Sequence, residues 1–245
     1  MFPFKDENPT ELTPILTIGL LVANVAAWVF VQGMGAQLQE SVCTFGLIPA
    51  ELTGQSIRGP IVCQMGGLTW QAVFSSMFMH GGWLHLITNM VFLWVFGNNV
   101  EDSMGHVRFL IFYLLAGIAA AGLHVALNSA SAVPTVGASG AISGVLGAYM
   151  VLYPRVRVHV FLPPFWIFHM RAYVVLGYWI VIQLFMGIGN LTAGSSGGVA
   201  VWAHIGGFVA GLLLVKLFER PQLVSAKREG RRLDRREIRE QHYWW

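Results

Sequence analysis

Ser139 and His204 are the two side chains of this chain best suited to chemistry. Ser139 stands in Gly137-Ala138-Ser139-Gly140 and His204 in Ala203-His204-Ile205-Gly206-Gly207, each near the start of a long apolar run. A serine hydroxyl becomes a useful nucleophile when a neutral imidazole accepts its proton. Between Ser103 and Phe218 there is no Asp or Glu. A pair formed here is therefore a dyad without a carboxylate, its ring held by packing or by a non-acidic hydrogen bond. A tetrahedral intermediate also needs donors aimed at its oxyanion. His85 and Asn89 lie one helical turn apart, so they project from one face, and a serine opening a helix adds its own N–H and the positive dipole end. Loss of one such donor typically costs about 3–4 kcal/mol of transition-state stabilisation.

These residues sit in a chain built for lipid. Of 245 residues 55% are hydrophobic and 11% charged, against about 25% charged in soluble domains. The apolar residues fall into six blocks, 14–32, 82–100, 107–127, 137–154, 171–189 and 199–218, each close to the ~20 residues a spanning helix needs. The expectation is an all-α membrane protein of six transmembrane helices. The first block lacks the basic leader and small-residue cleavage site of a signal peptide, so it counts as a span. Three regions follow: a short segment 1–13, a six-span domain 14–218, and a charged tail 219–245.

Six spans put both termini on one side. Fourteen of the 15 Lys and Arg residues then share that side and only Arg58 lies opposite, which makes both termini cytoplasmic by the positive-inside rule. The compartment that fits is a bacterial inner membrane. The net charge of +3 hides a tail in which Arg231, Arg232, Arg235, Arg236 and Arg239 alternate with Asp234, Glu237 and Glu240. That pattern reads as a solvated helix, and Tyr243-Trp244-Trp245 suits the headgroup level. Nothing in it points to nucleic acid. Cys43 and Cys63, the only cysteines, share the long outer loop 33–81, where a disulfide and two buried thiols are both compatible. That loop has too many apolar residues for a tether. The 190–198 stretch is small, polar and suited to flexibility.

Depth tests the grouping. Blocks two, four and six all run inward, so at 1.5 Å per residue His85, Asn89, Ser139 and His204 fall within roughly 10 Å of the outer helix ends. Gly140, Gly144 and Gly147, with Gly207 and Gly211, form small-residue faces that let two helices approach closely.

Taken together, His80-Gly-Gly-Trp-Leu-His85-Leu-Ile-Thr-Asn89, Gly137-Ala-Ser139-Gly140 and Ala203-His204-Ile-Gly-Gly207 resemble the rhomboid family of intramembrane serine proteases across all six blocks. The resemblance implies a six-helix rhomboid bundle that cuts transmembrane protein substrates in the bilayer without a cofactor or metal. It implies Ser139 as nucleophile, His204 as general base and acid, and His85 and Asn89 with the Ser139 N–H as oxyanion site. His80, Gly137 and Gly140 would be supporting residues. Loop 33–81 would be a membrane-embedded first loop, and span five with the 190–198 loop would gate substrate access. Two departures stand out: Gln71 follows Trp70 where the family often has Arg, and Ser143 occupies a position where some members carry a tyrosine against the catalytic ring. Another group must then hold His204.

The remaining histidines, at 106, 124, 159, 169 and 242, read as ordinary interfacial or solvated residues. The main alternative is a non-catalytic rhomboid-like protein that binds helices without cutting them, for which loss of the serine or histidine would be the signature. A transporter would spread titratable groups through the bilayer depth. A zinc protease would need about three protein ligands, and no His-Glu-x-x-His helix is present. Neither the substrate nor the oligomeric state is encoded legibly.

Overall fold

The computed structural model describes residues 2–57, 63, 66–164, 166–193 and 200–230. Arg58, the 190–198 stretch beyond Ala193, and the tail from 231, with Tyr243-Trp244-Trp245, lie outside the described residues.

The chain opens with strand β1 (Phe2–Asp6) and helix α1 (Ile15–Ala26), which continues into a π-helical turn, Ala27–Val31. The long outer loop is ordered around three short helices, α2 (Leu38–Phe45), α3 (Pro49–Thr53) and α4 (Ala72–Ser75). Leu47, Ile48, Ala50 and Ala72 are all buried, so this loop packs as part of the protein. Cys43 and Cys63 are joined in a disulfide across it.

A helical run then passes through α5 (Trp83–Phe92), a π turn at Leu93–Gly97 and α6 (Asn98–Met104). After Gly105 comes α7 (His106–Leu127), then α8 (Ser139–Leu152). Strands β2 (Arg157–Leu162) and β3 (Trp166–Arg171) lead into α9 (Ala172–Ala193), α10 (Val201–Phe218) and α11 (Pro221–Arg228). Among the described residues three helices are long and apolar enough to cross a membrane, His106–Leu127, Ala172–Gly189 and Val201–Phe218. Ile15–Val31 and Ser139–Leu152 are apolar but shorter. The protein is an integral membrane protein with a mainly helical fold.

The all-α expectation needs correction. β1, β2 and β3 form an antiparallel sheet in that order, built from the segment expected to be a polar start and from the basic connection after α8. Alternation explains it: Val158 and Val160 are buried while Arg157 is exposed, the period-two pattern of a half-buried strand. β1 packs on α5 and the π turn, and β2 and β3 pack on α9. Residues 190–193, expected to open a flexible loop, instead belong to α9, which stays helical to Ala193.

The core is α8 wedged between α7 and α10. Nearly all of α8 is buried, Gly140 through Tyr149 and Leu152. A Cβ on Gly207 would collide with the Gly140 carbonyl oxygen, one on Gly211 with that of Gly144, and one on Gly147 with that of Phe208. On its other side Gly144 meets Ala116 of α7. The glycine faces thus set α8 and α10 at backbone contact, which Cβ-bearing residues would prevent.

At the opposite end from Ser139, acidic side chains tie the elements together. α1 begins without a capping side chain of its own. Glu101 of α6 supplies the cap, accepting from the Leu16 and Thr17 N–H groups at 3.0 and 2.8 Å and from the Thr17 hydroxyl at 2.7 Å. Such groups would otherwise be orphaned. Asp102 accepts from Leu12 N–H at 2.8 Å and from Lys227 of α11 at 2.7 Å. Burial pulls the Lys227 ammonium below its ordinary value, and Asp102 works against that pull.

Candidate active site

Ser139 is the first residue of α8 and His204 lies in the first turn of α10. The glycine-set approach of these helices puts Ser139 Oγ 2.8 Å from His204 Nε2. The ring itself is buried, 8% exposed. Its other nitrogen, Nδ1, lies 2.8 Å from Gln183 Oε1 of α9. A carbonyl oxygen there accepts the Nδ1 proton, which leaves Nε2 bare and facing the serine. Trp179, one turn earlier on α9, packs its ring against His204 with centroids 5.8 Å apart. Apart from its contact with Ser139, the ring is therefore held from α9, by an amide and an indole.

Ser143 is accounted for by the same geometry. Its hydroxyl donates to the Ser139 carbonyl at 2.6 Å, inside the α8 turn.

The oxyanion candidates converge on the serine. His85 Nδ1 accepts the Gly81 N–H at 3.1 Å, so in the neutral ring Nε2 carries the proton and is a donor. That nitrogen faces the Gly137 backbone: a Cβ at Gly137 would lie 2.8 Å from His85 Nε2 and 3.4 Å from Ser139 Oγ. Gly137 also has φ of 126°, a conformation that side chains disfavour. It is thus required twice over, for space and for backbone. Asn89 is buried with its Nδ2 unpartnered among the described residues, a donor left available. His80 stacks edge-on against His85 at 5.2 Å, and its backbone is clamped by Gln32, which accepts the His80 N–H at 2.8 Å and donates to its carbonyl at 2.9 Å. Gly140 lies against Ala120 and Ala203, at the α7–α8–α10 contact.

Ser139, His204, His85 and Asn89 all line one cavity of about 790 Å³, with Phe92 and Trp179 on its apolar side. His124 lines it too, half-buried, its Nε2 2.8 Å from Thr135 Oγ1. The sequence reading of His124 as an ordinary interfacial or solvated residue did not anticipate its place in the cavity wall. Sequence reasoning also missed Gln32, Trp179 and Gln183. For Gln183 a signal existed: it is the one amide or charged side chain in the apolar stretch 172–189, the same anomaly that marked Ser139. Among the described residues no group of three His, Cys, Asp or Glu side chains is placed to hold a metal ion.

The sequence profile of the rhomboid domain matches residues 67–221. RHOMBOID-like protein 5 of Arabidopsis thaliana is 31% identical over 157 residues, covering 64% of this chain and 46% of that protein. RHOMBOID-like protein 6, mitochondrial, of the same plant is 27% identical over 231 residues, covering 86% and 70%. Rhomboid protease GluP of Bacillus subtilis is 41% identical over 81 residues, covering 33% and 15%. The chain spans less than half the length of the first and third of these relatives.

Proposed function

The chain belongs to the rhomboid family, and on that premise we propose that it is an intramembrane serine endopeptidase acting on transmembrane protein substrates. The observation that carries this reading is the 2.8 Å contact between Ser139 Oγ and His204 Nε2.

In the first half-reaction His204 Nε2 takes the hydroxyl proton as Ser139 Oγ attacks the scissile carbonyl carbon. The developing oxyanion is met by the Ser139 N–H, the His85 Nε2–H and the Asn89 amide. His204 then gives its proton to the leaving amine, and an acyl-enzyme remains on Ser139. Water, deprotonated by the same ring, releases the second product. Gln183 does the orienting that a carboxylate does in a triad. It fixes the tautomer while adding no charge to a lipid-enclosed site.

Helix length supports a recessed site. α8 has 14 residues, about 21 Å of rise against a hydrocarbon core of ~30 Å. Arg155 and Arg157 follow its far end and pin that end at the cytoplasmic headgroups, which leaves Ser139 several ångströms below the outer boundary. We read the chain as six spans over 14–218 with both termini cytoplasmic, flanked by 1–13 and 219–245. The relatives above come from a plant, a mitochondrion and a bacterium, and lend the bacterial inner membrane no particular support.

The test is cleavage of a purified test transmembrane substrate, paired with fluorophosphonate labelling. Wild type should cleave and label, whereas Ser139→Ala and His204→Ala should each abolish cleavage. Cleavage that persists in both variants would remove the dyad from the mechanism. A wild type that binds the substrate helix and neither cuts nor labels would make the chain a non-catalytic helix-binding protein.

A further inference from the structure

The β2–β3 hairpin joins the inner ends of α8 and α9, and its pairing lays out an ordered change of chemistry. On one face, Arg157 pairs across the ladder with Arg171, His159 with His169, and Phe161 with Ile167. Beyond these rungs Leu162 pairs with Trp166 at the tip. The rungs run from cationic at the base, through imidazole, to wholly apolar. The apolar end is uncovered: Trp166 is 61%, Ile167 55% and Phe168 42% exposed. Two arginines directly opposite one another repel. Neither they nor Arg155 has an ion pair among the described residues, and Glu7 engages His159 at 3.0 Å.

The direction of the sheet is fixed at two heights by β1. At one end the Phe2 ring meets Phe92 of α5, centroids 6.3 Å apart, and Phe2 pairs with Phe161. At the other, the Asp6 carboxylate accepts from Asn99 of α6 at 2.9 Å, and Asp6 pairs with Val158. From Phe2 to Asp6 is about 13 Å of strand at ~3.3 Å per residue, and from Phe92 to Asn99 about 10 Å of helix at 1.5 Å per residue. The two lengths nearly match, so the strands run along the axis of a spanning helix. On the six-span reading proposed above, this direction aims the tip into the bilayer and the arginines out of it.

We propose that the 157–171 hairpin is embedded in the cytoplasmic leaflet of the bilayer, its Trp166–Phe168 edge among acyl chains and its Arg157–Arg171 pair binding the phosphate of an anionic phospholipid. The phosphate removes the repulsion that the ladder imposes on the two guanidiniums, and Arg suits phosphate through its paired donors. Unpaired backbone on the outer edge of β3 needs headgroup or water partners, which keeps the insertion shallow. A depth of roughly 5–10 Å below the headgroups is the range interfacial segments occupy. A water-facing edge that docks a protein strand is the competing use. The continuity of both strands with lipid-spanning helices and the polarity gradient along the rungs favour lipid.

The experiment uses the full chain in nanodiscs of phosphatidylcholine, with or without phosphatidylglycerol. Both native cysteines are in the disulfide, so a spin label can be placed at Ile167→Cys, with Gln222→Cys on the exposed face of α11 as the water-facing control. The label at 167 should be reached by oxygen more readily than by a water-soluble nickel complex, and the control should show the reverse. Equal nickel access at the two positions overturns the insertion. In the second arm, native mass spectrometry counts phosphatidylglycerol retained by wild type and by Arg157→Gln/Arg171→Gln. At about 1 kcal/mol per basic residue near a charged lipid surface, the double variant should lose about thirtyfold in preference for the anionic lipid. Unchanged retention in a variant with wild-type circular dichroism overturns the phosphate site. Neither readout depends on proteolysis, so failure here and failure of the protease reading are separate results.

Discussion

Gln183 Oε1 and His204 Nδ1 lie 2.8 Å apart, and this contact between α9 and α10 stands where a serine hydrolase ordinarily places a carboxylate. It ties the state of the base to the position of α9. Gln183→Leu keeps approximate volume and removes the acceptor. We expect kcat to fall by about ten- to a hundredfold with KM little changed, since only orientation of the ring is lost. Fluorophosphonate labelling of Ser139 should slow in parallel, and Gln183→Glu, which keeps an acceptor, should recover part of the rate. A Gln183→Leu enzyme with wild-type labelling kinetics would make the amide a packing residue.

The oxyanion reading makes a separate demand. His85→Ala and Asn89→Ala should each lower kcat by about 10²–10³, with thermal stability close to wild type. Single-turnover kinetics and a melting curve on the same preparation separate the two quantities. A loss confined to KM would assign these side chains to substrate binding.

Backbone contact between α8 and α10 sets the Ser139–His204 distance. A methyl at Gly207 meets the Gly140 carbonyl, one residue beyond the serine. Gly207→Ala should therefore cost about 1–3 kcal/mol of stability through overpacking and should abolish most labelling. Gly177→Ala on α9 is the control, because a Cβ there meets nothing within 4 Å, and it should be neutral in both assays.

The inner end of the sheet predicts a pH effect. Burial pushes the Asp6 carboxyl up from 3.8 to about 6, while hydrogen bonds and Lys227 pull it partly back. The folded state thus holds a proton that the unfolded chain has released. This group's stabilisation is full below about 3.8 and is lost as pH rises through about 6. The melting temperature in detergent should fall across that window for wild type, and Asp6→Asn should flatten the slope. An identical slope in the variant would place the titration elsewhere.

Composition and spacing carried much of this protein. Hydrocarbon admits few polar side chains, so the four that survive in glycine-flanked motifs stood out without a structure. Block length and the one-sided distribution of arginine gave the membrane class and the orientation proposed for it. The glycine periodicity of residues 140–147 and 207–211 likewise anticipated the α8–α10 contact, because close approach requires residues without side chains.

Long-range partners were a different matter, and only the tertiary structure decided them. Gln183 reads as one polar residue in an apolar helix, and its meeting with a histidine 21 positions away depends on how α9 leans on α10. Glu101 caps a helix that begins 86 residues earlier, a relation no local pattern encodes. The sheet escaped because β1 lies far in sequence from its partner β2 and its alternation is only a few residues long. Local sequence records which face is buried and which polar group is anomalous; it does not record against whom, because packing chooses that partner from the whole fold.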